Sequence, residues 1–166
     1  MLGTLEKSPQ LDIFRKPLKH IVRDNDDLVK LSRRIEWEGM VSLLSVHYSP
    51  DRGRKGIPIR KLAGLLIIKD IFELSDEGIL GKYIENPSIQ YFCGEVFPQK
   101  DPPASRSELV KFRARIGEKG MKVIFYPELL RLIKRFKKRM ESGQDFELPS
   151  WNFTDFLRQL APGIWQ

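Results

Sequence analysis

Apolar residues recur every three or four positions along most of the chain, and polar turns separate one such segment from the next. This spacing places the apolar side chains on one face of a helix. It predicts helices over residues 26–35 and 36–46, and the acidic run before the first of them can supply a helix cap. We expect Asp24 or Asn25 to fill that role.

The most apolar segment follows Pro58, a residue suited to the first position of a helix. Between Ile59 and Phe72 apolar residues cover most of the helix circumference, which is typical of a central, buried helix. Two shorter helices are predicted after it, the first ending at Asn86 and the second at Gly94. A long helix followed by two short ones resembles a helix-turn-helix arrangement.

The C-terminal half of the pattern is also helical. Ser105 and Glu108 have the spacing of a capping box, so a helix is predicted to begin there and to end at Gly117. A longer helix follows over about residues 119–140, with a break before Pro127. The predicted fold class is therefore all-α, a compact multi-helix bundle with helix-turn-helix-like elements.

Differences in composition divide the chain into three parts. Residues 1–23 contain two prolines that interrupt any long helix, and we interpret them as a partly ordered N-terminal arm. Residues 24–140 form the helical domain. Residues 141–166 carry four acidic residues against one arginine and are rich in aromatic residues, so they form a distinct C-terminal tail.

The charge of the chain indicates a polyanionic partner. Its formal net charge is +7 and its isoelectric point is about 9.6. Residues 105–140 contain 12 Lys and Arg against 3 Glu, a local charge of +9, so the rest of the chain is slightly acidic. Nucleic acid is the first partner that such a distribution favours, and an anionic membrane surface is the second.

The sequence indicates no catalytic, metal or cofactor site. Cys93 is the only cysteine and there are two histidines, which excludes a disulfide framework and leaves a zinc site without support. The densest acidic group, Asp24, Asp26 and Asp27, precedes an amphipathic helix and is interpreted as capping rather than metal binding. We therefore expect no catalytic residue, no metal, no cofactor and no enzymatic activity.

The chain shows no sign of secretion or membrane insertion. Its N-terminus has no apolar stretch after a basic start, and its longest apolar run, Leu65 to Ile68, is far shorter than the roughly 20 residues of a membrane span. The expectation is a cytoplasmic protein without a membrane partner.

Basic residues in two regions are the candidate DNA contacts, because Lys and Arg bind phosphates and Arg also reads base edges. For each of them a solvated helix surface is the alternative. A third basic run, Lys134 to Arg139, can bind phosphates, remain solvated, lie on a membrane or bind an acidic partner. The candidate DNA-binding residues are Arg52, Arg54, Lys55, Arg60, Lys61, Arg106, Lys111, Arg113, Arg115 and Lys119.

Several ordered motifs resemble a known family. They are GRKGIPIRKL at 53–62, LSDE at 74–77, ENP at 85–87, QYFCG at 90–94 and SxLxxFRxRIG at 107–117. Over about residues 25–125 they closely resemble the N-terminal domain of InsH-type insertion-sequence transposases. The resemblance implies a helical domain that binds double-stranded DNA, including element terminal repeats.

In that family a ribonuclease-H-like domain with a triad of carboxylates follows the helical domain, and nothing in this chain resembles it. The resemblance therefore implies a truncated transposase without strand-transfer chemistry. The alternative is a fragment that regulates or inhibits a full-length transposase by pairing with it, or a decayed remnant without a role. Trp151, Phe153 and Phe156 in the tail favour the interaction, because they can cover a surface that the missing domain would occupy or dock onto a partner. A full-length transposase or a second copy of the chain is the expected protein partner.

Overall fold

The computed structural model describes residues 15–48 and 56–142, and in these two ranges the chain is helical and has no β-strand. The predicted all-α class is confirmed. After a 3-10 helix at Leu18–His20, the helices are α1 (Asp27–Arg34), α2 (Trp37–Ser45), α3 (Ile59–Ile71), α4 (Asp76–Glu85), α5 (Pro87–Phe92), α6 (Arg106–Ile124) and α7 (Pro127–Ser142).

Helix α3 lies at the centre of the fold, as its all-round apolar character predicts. Helices α2, α4, α6 and α7 all contact it. Pro58 lies one position before the first helical residue rather than on it. Gly64 allows a close approach, because a Cβ atom there would lie 3.0 Å from the Sγ of Cys93. The buried residues of α3 are Ile59, Leu62, Ala63, Gly64, Leu65, Leu66, Ile67, Ile68 and Ile71.

Helix α1 is capped by Asp26, whose Oδ1 accepts a hydrogen bond from the backbone N–H of Leu28 at 2.8 Å. The prediction that Asp24 or Asn25 supplies this cap is therefore wrong. The second carboxylate oxygen of Asp26 accepts a hydrogen bond from the Ser88 hydroxyl at 2.7 Å. One side chain thus caps α1 and ties it to α5.

Helix α6 begins with the predicted capping box between Ser105 and Glu108. Gly117, the predicted end of this helix, has non-helical φ +59° and ψ −165°, so two helical segments meet there at a kink and the second runs to Ile124. Because φ is positive, glycine is the residue best suited to this point. The predicted break before Pro127 is confirmed, since α7 begins there.

The described end of the N-terminal segment packs onto the helical body. Leu18 is fully buried, and its backbone N–H donates to the carbonyl of Val96 at 2.7 Å. The Arg15 guanidinium donates to the carbonyl of Pro98 at 2.6 Å. Residues 1–14, and the tail from 143 onward with its predicted aromatic contacts, lie outside the described residues.

Candidate nucleic-acid interface

The residues that α6 buries fix the orientation of the helix, and this orientation determines the direction of its basic side chains. Leu109, Phe112 and Ile116 are buried, so the remaining positions lie on the two flanks of the helix or face solvent. Helical geometry places residues four apart on one flank. Lys111 and Arg115 therefore share one flank, and the contacts of Arg106 and Arg113 with α4 show that these two residues lie on the opposite one.

The first flank of α6 carries two exposed cations. The guanidinium of Arg115 lies over the ring of Tyr48, 4.7 Å from its centroid, and Lys111 projects one turn away. Burial raises the pKa of the Tyr48 phenol, so the ring stays neutral and stacks as an uncharged π surface. Tyr48 directly precedes residues 49–55, which lie outside the described ranges together with the predicted contacts Arg52, Arg54 and Lys55.

On the second flank, Arg113 is bound to an acidic partner. Its guanidinium donates two hydrogen bonds to the carboxylate of Asp76, at 3.0 and 2.6 Å, and Lys69 donates to the same carboxylate at 2.5 Å. The hydrogen bonds from Arg113, helped by those from Lys69, hold the pKa of Asp76 well below its usual range against the opposing effect of burial. Arg113 therefore joins α6 to α4, and Lys69 brings α3 into the same cluster.

Arg106 and Lys119 are more accessible than Arg113. Arg106 pairs with Glu77 at 3.2 Å, but both side chains are mostly exposed, at 69% and 75%. Such a surface pair contributes little and exchanges easily for another partner. Lys119 lies beyond the kink of α6, is exposed, and has no ion pair within the described ranges.

Arg60 and Lys61, at the start of α3, are both engaged inside the fold. The guanidinium of Arg60 lies over the ring of Trp37 at 4.8 Å, and burial lowers its pKa. Lys61 forms an ion pair with Glu95 at 2.6 Å, and Glu95, only 7% exposed, also accepts a hydrogen bond from the hydroxyl of Tyr83 at 2.6 Å. Lys61 therefore neutralises a buried carboxylate.

A set of basic residues outside the predicted site lies on α7. Four of its cations are exposed, whereas Lys137 pairs with Glu73 and Asp70, and Arg139 pairs with Asp27. The signal that separates the two groups is the apolar spacing of α7, which marks the side of the helix that faces solvent. The four exposed cations are Arg131, Lys134, Arg135 and Lys138.

The acidic group before α1 has structural partners. Asp24 pairs with Arg33 at 2.5 Å, Asp26 caps the helix, and Asp27 pairs with Arg139. Among residues 15–48 and 56–142, no group of three or more His, Cys, Asp or Glu side chains is placed to hold a metal ion. None of the helices in the same ranges has both the length and the apolar character needed to cross a bilayer.

Cys93 is fully buried, and burial raises the pKa of its thiol. A protonated thiol without solvent access is a poor nucleophile. Its packing against Gly64 supports the interpretation of Cys93 as an inert core residue.

Comparison with known proteins places this helical domain in context. Residues 16–115, more than half of the chain, match the family described as Transposase domain (DUF772). A protein of Rhizobium meliloti described as "Uncharacterized protein ORF8 in nfe locus" is 31% identical over 131 residues. That alignment covers 79% of this chain and 63% of the relative, so the chain spans less than two thirds of the relative's length. No solved structure matches.

Proposed function

Because the chain belongs to the transposase domain family DUF772, we propose that it is the DNA-binding module of an insertion-sequence transposase of InsH type. The observation that carries the proposal is the first flank of α6, where Lys111 and Arg115 are exposed and face no acidic partner within the described residues. Three further basic residues follow Tyr48 in sequence: Arg52, Arg54 and Lys55.

The candidate contacts differ in the partner that a phosphate would have to displace. Arg115 and Lys111 have no carboxylate partner in the described residues to leave when they meet a phosphate, and the Tyr48 ring already orients the guanidinium of Arg115. Arg113 and Lys61 would have to leave carboxylates that are 11% and 7% exposed. Removing one partner of such a pair is costly. We therefore assign DNA contact to the first flank, with Arg106 and Lys119 as peripheral contacts.

A binding titration tests the proposal. Duplexes with terminal-repeat and random sequences are titrated at several salt concentrations with the parent chain and with the variant Lys111→Gln, Arg115→Gln. Each phosphate contact contributes about 0.9 to the magnitude of the slope of log K against log salt. The slope of the variant, which lacks two contacts, should therefore be smaller in magnitude by about 2. The matched control is Arg33→Gln, Arg34→Gln on α1, which removes the same charge from another exposed surface.

Failure of the parent chain to bind either duplex at low salt would overturn the proposal. If the chain then co-purified with a full-length transposase of the same family, a regulatory pairing would replace DNA binding as its function. A chain that neither bound DNA nor paired would be a remnant without a role.

We further propose that the chain performs no strand transfer by itself. This is supported by the use of its acidic residues in the described ranges: Asp26 caps a helix, and Asp76 and Glu95 neutralise cations. Incubation with element-end DNA and Mg²⁺ or Mn²⁺ should give no joined products. Strand-transfer products from the purified chain, absent from a mock preparation, would contradict this part of the proposal.

A further inference from the structure

The basic residues of helix α7 fall into two groups, one that forms ion pairs with other helices and one that faces solvent. Lys137 contacts Glu73 at 3.2 Å and Asp70 at 3.8 Å, which ties α7 to the end of α3. Arg139 pairs with Asp27 and ties it to α1. These two residues flank the buried side of the helix. Four others have no ion pair within the described ranges and are exposed: Arg131, Lys134, Arg135 and Lys138.

The four unpaired cations form one continuous surface, which we call the α7 basic face. Successive members are three residues apart or adjacent, so they gather within a narrow arc of the helix over about 10 Å of its length. The arc lies opposite the buried residues, each of which is at most 2% exposed. Those buried residues are Leu129, Leu132, Ile133 and Phe136.

Like charges at this spacing repel each other and destabilise a helix. The sequence has no Asp or Glu between Leu129 and Met140, so the acids of this helix, Glu128 and Glu141, lie beyond the two ends of the basic face. In α1, by contrast, Lys30 and Arg33 each have an acidic neighbour. The α7 basic face is therefore a concentration of charge that an external polyanion would neutralise.

The α7 basic face is separate from the DNA contact assigned to α6. A cavity of about 390 Å³ is lined by Lys69, Arg113 and Lys137 among others, so α7 lies on the Arg113 side of α6. Lys111 and Arg115 occupy the opposite flank. Cations on the two surfaces cannot converge on a single phosphate, and each surface makes its own contacts.

The surroundings of the α7 basic face favour nucleic acid over a membrane. A helix that lies on a bilayer inserts its apolar side into the lipid. The apolar side of α7 is already buried against the protein core, so the helix would have to unpack before it could insert. A row of Lys and Arg along one helix instead complements the regular row of charges on a nucleic-acid strand.

We propose that the α7 basic face is a second contact surface for duplex DNA, which binds the phosphate backbone independently of base sequence. The inference rests on the proposed function, because it assumes that the chain binds DNA. It adds that part of the affinity comes from a surface away from the α6 flank and is shared by all duplexes.

The test replaces all four cations by glutamine: Arg131→Gln, Lys134→Gln, Arg135→Gln and Lys138→Gln. Affinity should fall by the same factor for terminal-repeat and random duplexes, and the slope of log K against log salt should decrease by about 3 to 4. The matched control removes the same charge from exposed positions elsewhere, with Lys19→Gln, Arg23→Gln, Arg33→Gln and Arg34→Gln. It should change the slope by less than about 1.

The variant is expected to fold, because it relieves repulsion and leaves the buried side of α7 intact; its urea midpoint should equal or exceed that of the parent. A second variant, Lys134→Arg with Lys138→Arg, keeps the charge and should keep the affinity. Unchanged affinity and slope in the glutamine variant, with DNA binding otherwise intact, would overturn the inference and leave the proposed function standing. A parent chain that binds no duplex would overturn both.

Membrane binding is tested with vesicles that contain anionic phospholipid. If the parent chain bound them, and the glutamine variant lost that binding while its affinity for DNA was unchanged, the α7 basic face would be a lipid surface and the inference would be wrong. We expect no difference between the two proteins in this assay.

Discussion

Two adjacent acidic residues at the start of α4 have very different surroundings. Asp76 is 11% exposed and accepts hydrogen bonds from Arg113 and Lys69, whereas Glu77 is 75% exposed and forms one loose pair. Asp76→Asn should lower the free energy of unfolding by about 2 kcal/mol, because it leaves two half-buried cations without their carboxylate. Glu77→Gln should change it by less than about 0.5 kcal/mol. Urea denaturation at neutral pH measures both values, and equal losses would contradict this account.

The same carboxylate predicts a dependence of stability on pH. The pKa of Asp76 is depressed in the folded protein, chiefly by the hydrogen bonds from Arg113, so the folded state binds this proton less readily than the unfolded chain. Its contribution is therefore complete above the unfolded pKa of about 3.9 and is lost as the pH falls below that value. The stability difference between the parent chain and Asp76→Asn should be constant from pH 5 upward and shrink below about pH 4. A difference that persisted unchanged at lower pH would show that hydrogen-bond geometry, not charge, dominates.

At the residue scale, the sequence identifies the basic residues but does not show which of them form ion pairs with acidic residues. Lys61, Lys111 and Arg113 are equivalent as basic residues in a polar pattern, and all three were reasonable DNA contacts. The separation of Arg113 from Lys111 follows from the buried stripe of α6 and could have been predicted from spacing alone. The pairing of Lys61 with Glu95 could not, because it depends on how residues 34 positions apart in sequence meet in the fold.

At the scale of helices, alanine substitution at two glycines should change the stability of the protein in opposite directions. Gly64 in α3 lies against Cys93, where an added Cβ would be 3.0 Å from Sγ and 3.2 Å from Cα. Gly81 in α4 has open space around it. Gly64→Ala should destabilise the protein by about 1 to 2 kcal/mol through overpacking. Gly81→Ala should stabilise it by about 0.5 to 1 kcal/mol, because alanine favours the helix.

Thermal or urea unfolding of the two alanine variants measures this difference, and each serves as the control for the other. Equal gains in stability would mean that α3 and the Cys93 backbone can move apart without cost. In that case the close approach at Gly64 would not be a constraint on the fold.

Periodicity predicted most helices because each helix buries one stripe or, in α3, most of its circumference. The periodicity of apolar residues predicted the ends of the helices less reliably than their positions in the chain. The sequence does not single out Asp26 as the α1 cap, because its second contact, with Ser88, joins residues 62 positions apart. At Gly117 the predicted helix end corresponds to a kink, where a positive φ separates two helical segments of α6, and the second segment packs through Gly120 and Ile124. The helix-turn-helix character of α4 and α5 stays a prediction.

At the scale of the whole molecule, folding sorts cations into those that neutralise the protein's own acids and those that face solvent. The unfolded chain has the same net charge of +7. In the folded chain Arg113, Lys61 and Lys137 are held against carboxylates. Six of the exposed cations without an ion pair in the described ranges are thereby grouped on the first flank of α6 and on the α7 basic face, where each group is held on a rigid scaffold; the others, such as Lys19 and Arg34, lie elsewhere on the surface.

This sorting predicts that duplex DNA binds the folded chain more tightly than the unfolded one and therefore stabilises it. With duplex at about 100 times its Kd, the free energy of unfolding should rise by about 2.7 kcal/mol. For a chain of this size that corresponds to an increase in Tm of roughly 5 to 10 °C, measurable by differential scanning calorimetry. Added salt should abolish the increase, because it weakens each phosphate contact. If DNA bound the chain but left Tm unchanged, folded and unfolded states would bind equally well. The basic residues would then act as a flexible polycation, and the arrangement of cations on α6 and α7 would have no part in DNA binding.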